Sequence, residues 1–369
     1  MKKLIYACQI ICMLACSVFT SGIGQNIIFP ADFNAAMVSH EKDKDQYNEF
    51  FKQTPHKELL ALIMQQYYLF SNKQGAEQQH IQAHSIPKII HQIWIGPYPF
   101  PQEAKKWQES WIKMHPDWEY KLWTNQDVDQ FDFENKIYFD QARNWGEKAD
   151  ILRYEILYRF GGLYADADFA CLKSFDWLHE RCDFYTGIHA VPLLFEHKLR
   201  INNGLIGARP GHPILERAIS QIPFYRHEKG VAQRTGPDFF TQTIQDVLPS
   251  TIASGSLDLV FPSNFFYPSG EKGGPGYKLK DGEAYVQPET MAVHYYTAYW
   301  IVKPKPKQAV EKELAIAHNV SSLSVDSTQV IKQDAPDAKK EKTCQLWVPL
   351  CDPYRKERRY QQYIEKRKI

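Results

Sequence analysis

A helix followed by a short strand is the clearest element pair that the hydrophobic pattern predicts. Asn144 suits the N-cap of the helix, and Glu147, three residues later, is placed to help cap the same end. Gly161 and Gly162 end the helix because glycine accepts left-handed backbone angles, and an apolar strand follows at residues 163–165. The helix is expected to face the core through residues spaced by three and four, which are Ala149, Leu152, Ile156 and Phe160.

A second amphipathic helix is predicted closer to the N-terminus. Ile86-Pro87 then opens the first strand, and residues 257–261 form another apolar run that ends at Pro262. The helix is therefore expected to be an extension that packs beside an α/β core. Its apolar stripe consists of Leu59, Leu60, Ile63, Tyr67 and Phe70.

Charged residues gather around the first helix–strand pair. Asp150 and Arg153 are one turn apart and can share a helix face, and Asp166 and Asp168 follow the strand directly. Open α/β sheets bind ligands at the carboxyl ends of their strands. Mg²⁺ is usually held by one or two carboxylates together with substrate phosphates. The pattern therefore predicts a divalent metal carrying a diphosphate, and hence sugar transfer from a nucleotide sugar, although two such aspartates alone more often form a solvated turn.

Seven segments between residues 86 and 302 carry a family resemblance. They are residues 86–96, 118–123, 149–157, 160–168, 202–204, 235–237 and 292–294. In this order they resemble the family 32 glycosyltransferases with a DXD sugar-binding region, relatives of the fungal initiating alpha-1,6-mannosyltransferase and the inositol phosphoceramide mannosyltransferases. A more distant similarity is to the glucosylating domains of large bacterial toxins. The resemblance implies a Rossmann-like α/β fold of the GT-A type. It also implies retaining transfer of a hexose from a UDP- or GDP-hexose to a hydroxyl on a glycan, sphingolipid or protein.

The resemblance also implies roles for the donor-binding residues. Trp94 matches the tryptophan that stacks on the nucleotide base, and Asn203 falls in a further donor-binding segment. Asp150 and Arg153 match the pair that holds the donor sugar hydroxyls and phosphate, and Asp166 matches the carboxylate that touches ribose or sugar.

A metal and a closing tryptophan are implied in the same way. Asp168 matches the residue that binds Mn²⁺ or Mg²⁺ directly, and His294 stands where related folds place a late ligand of the metal or diphosphate. Trp300 matches a residue that closes over the diphosphate. Tyr299 stands directly before this tryptophan, where the family often has a small polar residue, which leaves the role of Trp300 open.

Each of these residues also has a purely structural interpretation. Trp94 lies among alternating apolar residues and suits a core position. Asp150 and Arg153 could form an ordinary intrahelical ion pair. His294 could be a structural histidine, and Asn203 a turn residue before a glycine.

Other functions compete with sugar transfer. A phosphatase of the HAD type would use Asp166 as nucleophile and Asp168 as acid, but it usually has threonine or valine where this chain has Ala170. A non-catalytic sugar-binding module is the second alternative, and the intact aspartates argue against a decayed enzyme. A secreted enzyme that modifies host proteins is the third, with the same chemistry and a different acceptor.

The composition limits the classes of binding partner that the sequence indicates. The formal net charge of the 369 residues is +1, so neither nucleic acid nor an anionic surface is indicated by the total. Four cysteines lie beyond the N-terminal segment, at Cys171, Cys182, Cys344 and Cys351, and their disulfide state is open.

The N-terminus is predicted to target the chain for export. Lys2 and Lys3 precede an apolar run, which suits a cleaved signal peptide first, an uncleaved anchor second and a lipoprotein lipidated at Cys16 third. The catalytic domain is then expected on the non-cytoplasmic side, in a Golgi-type lumen or secreted toward a host. Because nucleotide sugars are scarce outside cells, this expectation conflicts with catalysis unless the donor lies in a lumen or in another cell.

Five segments are predicted along the chain. They are a signal peptide or anchor at 1–24, a helical extension at 25–85, the glycosyltransferase domain at 86–302, a disordered linker at 303–342 and a basic tail at 343–369. The N-terminus and the tail are the segments that could associate peripherally with a membrane.

Overall fold

A six-stranded mixed sheet forms the centre of the computed structural model, which describes residue 30 and residues 32–72, 86–268 and 285–297. The strands are β1 (Ile89–Ile93), β2 (Glu119–Trp123), β3 (Gly162–Ala165), β4 (Phe169–Cys171), β5 (Phe184–Ile188), β6 (Ile201–Ala208), β7 (Asp258–Phe261) and β8 (Ala292–His294). The order across the sheet is β2-β1-β3-β6-β5-β7. Strand β6 runs antiparallel to both its neighbours, and the other adjacent pairs are parallel. The predicted Rossmann-like α/β fold is confirmed by this sheet, and its assignment to the GT-A type stays a prediction.

A small second sheet stands at the exit of β3. It contains β4 and β8, which pair antiparallel with Phe169 opposite His294 and Cys171 opposite Ala292. This pairing brings a late segment of the chain to the residues that directly follow β3.

Ten α-helices surround the two sheets in the described ranges. They are α1 (Lys44–Gln53), α2 (Lys57–Asn72), α3 (Gln102–Met114), α4 (Asn125–Asp129), α5 (Lys136–Gln141), α6 (Trp145–Phe160), α7 (Asp176–His179), α8 (Pro213–Tyr225), α9 (Val231–Arg234) and α10 (Pro237–Ala253). No helix in these ranges is both long and apolar enough to cross a membrane.

The predicted helix–strand pair is α6 followed by β3. The Asn144 side chain accepts hydrogen bonds from the backbone N–H groups of Gly146 and Glu147, so the predicted N-cap is confirmed. The helix ends at Gly161, whose φ of 63° lies in the left-handed region. The predicted capping role of Glu147 is wrong, because its carboxylate forms a two-point ion pair with Arg234 instead. Long-range charge pairing outcompetes the local cap here.

The predicted helical extension is confirmed as α1 and α2. The ring of Tyr67 on α2 meets Phe261 at the end of β7 edge-on, with ring centroids 6.5 Å apart. All described residues belong to one compact unit, so these helices share the core of the sheet. The proposed boundary between residues 85 and 86 stays a prediction.

Several sequence predictions fall outside the described ranges. Cys171 and Cys182 are within them, and both are buried free thiols. The segments at 1–24, 303–342 and 343–369 lie outside the described residues, as do Cys344, Cys351 and Trp300.

Candidate active site

Asp166, Asp168 and His294 form one cluster at the carboxyl end of β3. One ligand atom from each lies within 4.8 Å of those of the other two. The Nε2 atom of His294 is 3.0 Å from Oδ1 of Asp168 and 3.8 Å from Oδ2 of Asp166. The aspartates are together because they follow one strand, and the histidine joins them because β8 pairs with β4. The structure therefore brings together the two aspartates and the late histidine that the sequence singled out.

The chain after β8 fixes the orientation of Asp168. Its Oδ2 accepts hydrogen bonds from both the backbone N–H and the hydroxyl of Thr297, each at 2.8 Å. Burial by itself would raise the pKa of Asp168, but His294 and these two donors hold the pKa below its ordinary value. The carboxylate is thus kept ionised and aimed at the histidine.

A second layer of charge joins this cluster to α6. The Nη2 atom of Arg153 is 3.0 Å from Asp150 Oδ1 and 3.2 Å from Asp166 Oδ1. Its Nη1 donates to the carbonyl of Asn203 at 2.7 Å, and its guanidinium lies over the ring of Tyr164. Arg153 is buried, so it bridges the helix aspartate and the strand-end aspartate out of water.

Asp150 is held by three donors. Arg153 and the amide of Asn203 donate to Oδ1, and the hydroxyl of Thr235 donates to Oδ2 at 3.0 Å. Asn203 also donates to the hydroxyl of Tyr154. Burial raises the pKa of Asp150 to about 7, against the opposing effect of Arg153. This carboxyl can therefore change its protonation when a ligand changes its surroundings.

Several neighbouring groups fix the position of Asp166. Its Oδ1 accepts a hydrogen bond from the Tyr164 hydroxyl, and its backbone N–H donates to the carbonyl of Gly204. A Cβ added to Gly204 would lie 2.7 Å from Asp166 Oδ2 and 3.0 Å from Asn202 Oδ1. Glycine is needed at this position of β6 because the carboxylate occupies the space of a side chain.

The charges of the cluster suit a divalent cation. Asp150, Asp166 and Asp168 supply three carboxyl groups, and Arg153 is the cation placed among them. Burial raises the pKa of Asp166, which indicates that its negative charge is not fully compensated by these neighbours. Two carboxylate oxygens and an imidazole nitrogen suit Mn²⁺, whereas Mg²⁺ prefers oxygen ligands. The residues present therefore fit a metal held by Asp166, Asp168 and His294.

The structural interpretations of the site residues can now be compared with their positions. Asn203 lies inside β6 with its amide buried, so it is not a turn residue. Asp150 and Arg153 form more than an ordinary helix pair, because the arginine is shared with Asp166. Trp94 is half-buried just beyond β1, and its Nε1 donates to the carbonyl of Tyr98, so it is not a core tryptophan.

Sequence reasoning did not assign a role to several residues that build the site. Thr235, Gly204 and Tyr154 lay inside segments that carried the family resemblance, so a signal was present for all three. Thr297 gave none, because a threonine after a strand is ordinary. Its role comes only from a contact with Asp168 across more than 100 residues of chain.

Similarity to known proteins covers the same region. Residues 101–184 match the family described as the glycosyltransferase sugar-binding region containing a DXD motif. An uncharacterised glycosyltransferase of Acanthamoeba polyphaga mimivirus is 31% identical over 169 residues, which cover 44% of this chain and 65% of that protein. Inositol phosphoceramide mannosyltransferase 3 of Schizosaccharomyces pombe is 33% identical over 146 residues, or 38% of each chain. The chain thus spans less than two thirds of the length of these relatives.

A more distant likeness exists among solved structures. The structure titled PaToxG glycosyltransferase aligns with a TM-score of 0.37 and 20% identity, covering 47% of this chain and 74% of that one.

Proposed function

We propose that this chain, whose residues 101–184 match the glycosyltransferase sugar-binding region containing a DXD motif, transfers a hexose from a nucleotide diphosphate sugar to a hydroxyl group. The observation that supports this most is the cluster of Asp166, Asp168 and His294, joined through Arg153 to Asp150. The name of one relative makes mannose the first sugar to test. The acceptor is a glycan, a sphingolipid or a protein, and the protein works in a lumen or outside the cell.

Each part of the cluster has a separate task in this proposal. A bound Mn²⁺ or Mg²⁺ supplies Lewis-acid stabilisation of the diphosphate leaving group. Asp166, Asp168 and His294 hold that ion. Arg153 and Asp150 orient the donor sugar and phosphate, and Asn203 keeps the Asp150 carboxylate in place. Trp94 stacks on the base at the carboxyl end of β1, and Trp300 is assigned to the diphosphate by resemblance alone.

Retention of the sugar's configuration is proposed from the family resemblance alone. Both oxygens of Asp150 are engaged by Arg153, Asn203 and Thr235, so Asp150 is not free to act as a nucleophile, which suits front-face attack assisted by the leaving phosphate. The phosphatase alternative needs a protonated Asp168, but the surroundings of this carboxylate lower its pKa. That favours glycosyl transfer over phosphate-ester hydrolysis.

The proposal is tested by measuring nucleotide release from UDP- and GDP-sugars by the full chain in the presence of Mn²⁺. We expect metal-dependent release from one donor and its loss, by about a hundredfold or more, in Asp168→Asn. Asp246→Asn is the matched control, because Asp246 pairs with Arg217 on the surface. Turnover of a simple phosphate ester without any nucleotide release would favour the phosphatase. The absence of both nucleotide release and phosphate-ester turnover would favour a binding module.

A further inference from the structure

A histidine and a tyrosine that have no task in the proposed transfer lie against the metal cluster. His189 follows β5, and Tyr296 lies two residues beyond His294. The rings of His189 and Tyr296 are parallel to within 13° with centroids 5.6 Å apart, and the tyrosine hydroxyl oxygen is 3.2 Å from Nδ1 of the histidine. The Tyr296 ring also contacts the ring of His294, with centroids 4.1 Å apart. The tyrosine is therefore held between a residue of the cluster and a residue outside it.

The backbone of Tyr296 is strained. Its φ of 49° lies in the left-handed region, which a bulky residue rarely adopts because its Cβ approaches the backbone too closely. Among the other non-glycine residues that the structure describes, only Glu196 and His197 have a positive φ. Such strain persists only where the surroundings hold the residue in place. The contacts of the Tyr296 side chain are the groups that can supply this restraint.

The turn at Tyr296 brings the chain back to Asp168. The N–H of Tyr295 donates to the backbone carbonyl of Asp168 at 3.0 Å, which continues the pairing of β8 with β4. One residue after Tyr296, the N–H and the hydroxyl of Thr297 both donate to the Asp168 carboxylate at 2.8 Å. An extended residue 296 would carry Thr297 onward along the line of β8 and away from this carboxylate. The left-handed conformation thus places the two donors that orient Asp168.

The hydrogen bonds of Asn202 determine which nitrogen of His189 carries the proton. Oδ1 of Asn202 accepts from the backbone N–H of Gly204 at 2.7 Å, so its amide nitrogen faces His189 and donates to Nε2 at 3.0 Å. A proton on Nε2 would set two donors against each other. The His189 ring is therefore neutral, and its one proton lies on Nδ1, where it donates to the Tyr296 hydroxyl.

Groups outside the metal cluster hold His189 in place. Its backbone N–H donates to the carbonyl of Arg200 at 2.9 Å, and its carbonyl accepts from the hydroxyl of Ser263 at 2.7 Å. Asn202, which orients the His189 ring, lies on β6 of the central sheet. A line of contacts therefore runs from the sheet through His189 to Tyr296 and its turn.

We propose that His189 and Tyr296 are positioning residues of the metal cluster. The Nδ1–H of His189 and the ring of His294 keep the Tyr296 side chain in one place, so the backbone at Tyr296 stays left-handed. Thr297 then keeps Asp168 oriented to receive the ion. This inference rests on the proposed function and names two further residues on which its metal binding depends.

Three substitutions of Tyr296 separate the effect of its backbone from that of its side chain. Tyr296→Val removes the ring and disfavours the left-handed conformation, because valine is β-branched. Tyr296→Gly also removes the ring but adopts that conformation without strain. Tyr296→Phe keeps the ring and loses only the hydroxyl. His197→Val is the matched control, since His197 has a φ of 54° and does not belong to the cluster.

Binding of Mn²⁺ to the full chain is measured by calorimetry, with and without UDP or GDP. We expect Tyr296→Val to bind Mn²⁺ at least about tenfold more weakly than the wild type, as for other groups that orient metal ligands. Tyr296→Gly should bind at least about threefold more tightly than Tyr296→Val, and His197→Val should match the wild type. The Mn²⁺ concentration for half-maximal nucleotide release should rise by the same factors, with less change in release at saturating Mn²⁺.

The order of the valine and glycine variants distinguishes positioning from packing. If Tyr296 only filled space, glycine would be the more damaging replacement, because it removes more apolar volume and adds freedom to the unfolded chain. If Tyr296 sets the turn, valine is the more damaging one, because the left-handed backbone is closed to it.

A double-mutant cycle tests the part of His189. His189→Phe keeps a stacked ring and removes the Nδ1–H, and Tyr296→Phe removes the oxygen that receives it. If this hydrogen bond restrains Tyr296, each change should weaken Mn²⁺ binding by about threefold, and the double variant should bind no more weakly than the weaker single variant. Urea unfolding identifies any variant that does not fold. Should Tyr296→Val be one of these, the cycle decides alone.

Three outcomes would overturn the inference. Mn²⁺ binding by Tyr296→Val within about twofold of the wild type would show that the turn does not position Asp168. Weaker binding by Tyr296→Gly than by Tyr296→Val would reduce Tyr296 to a packing residue. Additive effects in the cycle would show that His189 does not act through Tyr296.

The proposed transferase function can fail separately. The expected order of Mn²⁺ affinities without nucleotide release from any donor would refute sugar transfer and leave the positioning residues in place. A wild-type chain that binds no Mn²⁺, with or without UDP or GDP, would refute the metal cluster and this inference together.

Discussion

Replacing Arg153 with methionine should destabilise the protein far more than a surface arginine would. Methionine keeps much of the side-chain volume but removes the charge that lies 3.0 Å from Asp150 and 3.2 Å from Asp166. It also leaves the carbonyl of Asn203 without its donor. Removing one partner of a buried ion pair costs about 3–5 kcal/mol, mainly because the remaining charge is stranded away from water. Asp150 and Asp166 already have raised pKa values and can take up protons once Arg153 is gone, so we expect a loss at the lower end of that range.

Urea unfolding without metal, followed by tryptophan fluorescence, measures this loss. Arg217→Met is the control, because its pair with Asp246 is one-third exposed and should be worth less than about 1 kcal/mol. Adding Asp150→Asn to Arg153→Met removes one stranded charge and should recover part of the lost stability. If Arg153→Met costs no more than Arg217→Met, the bridge between helix and strand end does not stabilise the fold as argued.

Three further predictions follow from the site and its surroundings. Gly204→Ala should abolish most metal-dependent nucleotide release, because the new Cβ would lie 2.7 Å from Asp166 Oδ2, and a normal Mn²⁺ affinity by calorimetry would contradict this. Trp94→Ala should raise the KM for the donor about tenfold with a smaller change in kcat, whereas Trp94→Phe should restore most of the affinity if base stacking is its role. Asp258 is buried, yet His212 and neighbouring hydroxyls lower its pKa. Its stabilising effect should therefore be complete above its unfolded pKa of about 3.9 and fade as the pH falls below that value. The difference in unfolding free energy between wild type and Asp258→Asn should thus shrink from pH 7 to about pH 3, and a constant difference would contradict the linkage.

The helices and strands that carry the site could be predicted from the sequence, because capping residues and hydrophobic periodicity mark them within a few residues. The cap at Asn144 and the break at Gly161 define α6 within a residue, and the strand expected at 163–165 is observed as Gly162–Ala165. The run predicted at 257–261 is observed as Asp258–Phe261. Periodicity and capping act within a few residues, so one sequence suffices to recognise them.

The assembly of the site could not be predicted in the same way. The pairing of β4 with β8 joins Phe169 to His294 across 125 residues, and no local pattern encodes that partner. The family resemblance pointed to His294, but nothing in the sequence indicated that Thr297 would fix Asp168. The contact of Glu147 with Arg234 was missed for the same reason, since the nearby capping role was the only one visible locally.

The position of His294 and Thr297 in the chain has a consequence for synthesis at the ribosome. Asp150, Asp166 and Asp168 emerge more than 100 residues before the two groups that orient and complete the metal cluster. A nascent chain stopped before β8 would carry closely spaced acidic groups without the histidine and hydroxyl that bind Asp168. Such a chain could not bind the ion with the full ligand set, so capture of the metal would coincide with closure of the small sheet. Metal loading would then distinguish chains that extend past Thr297 from those that stop before β8.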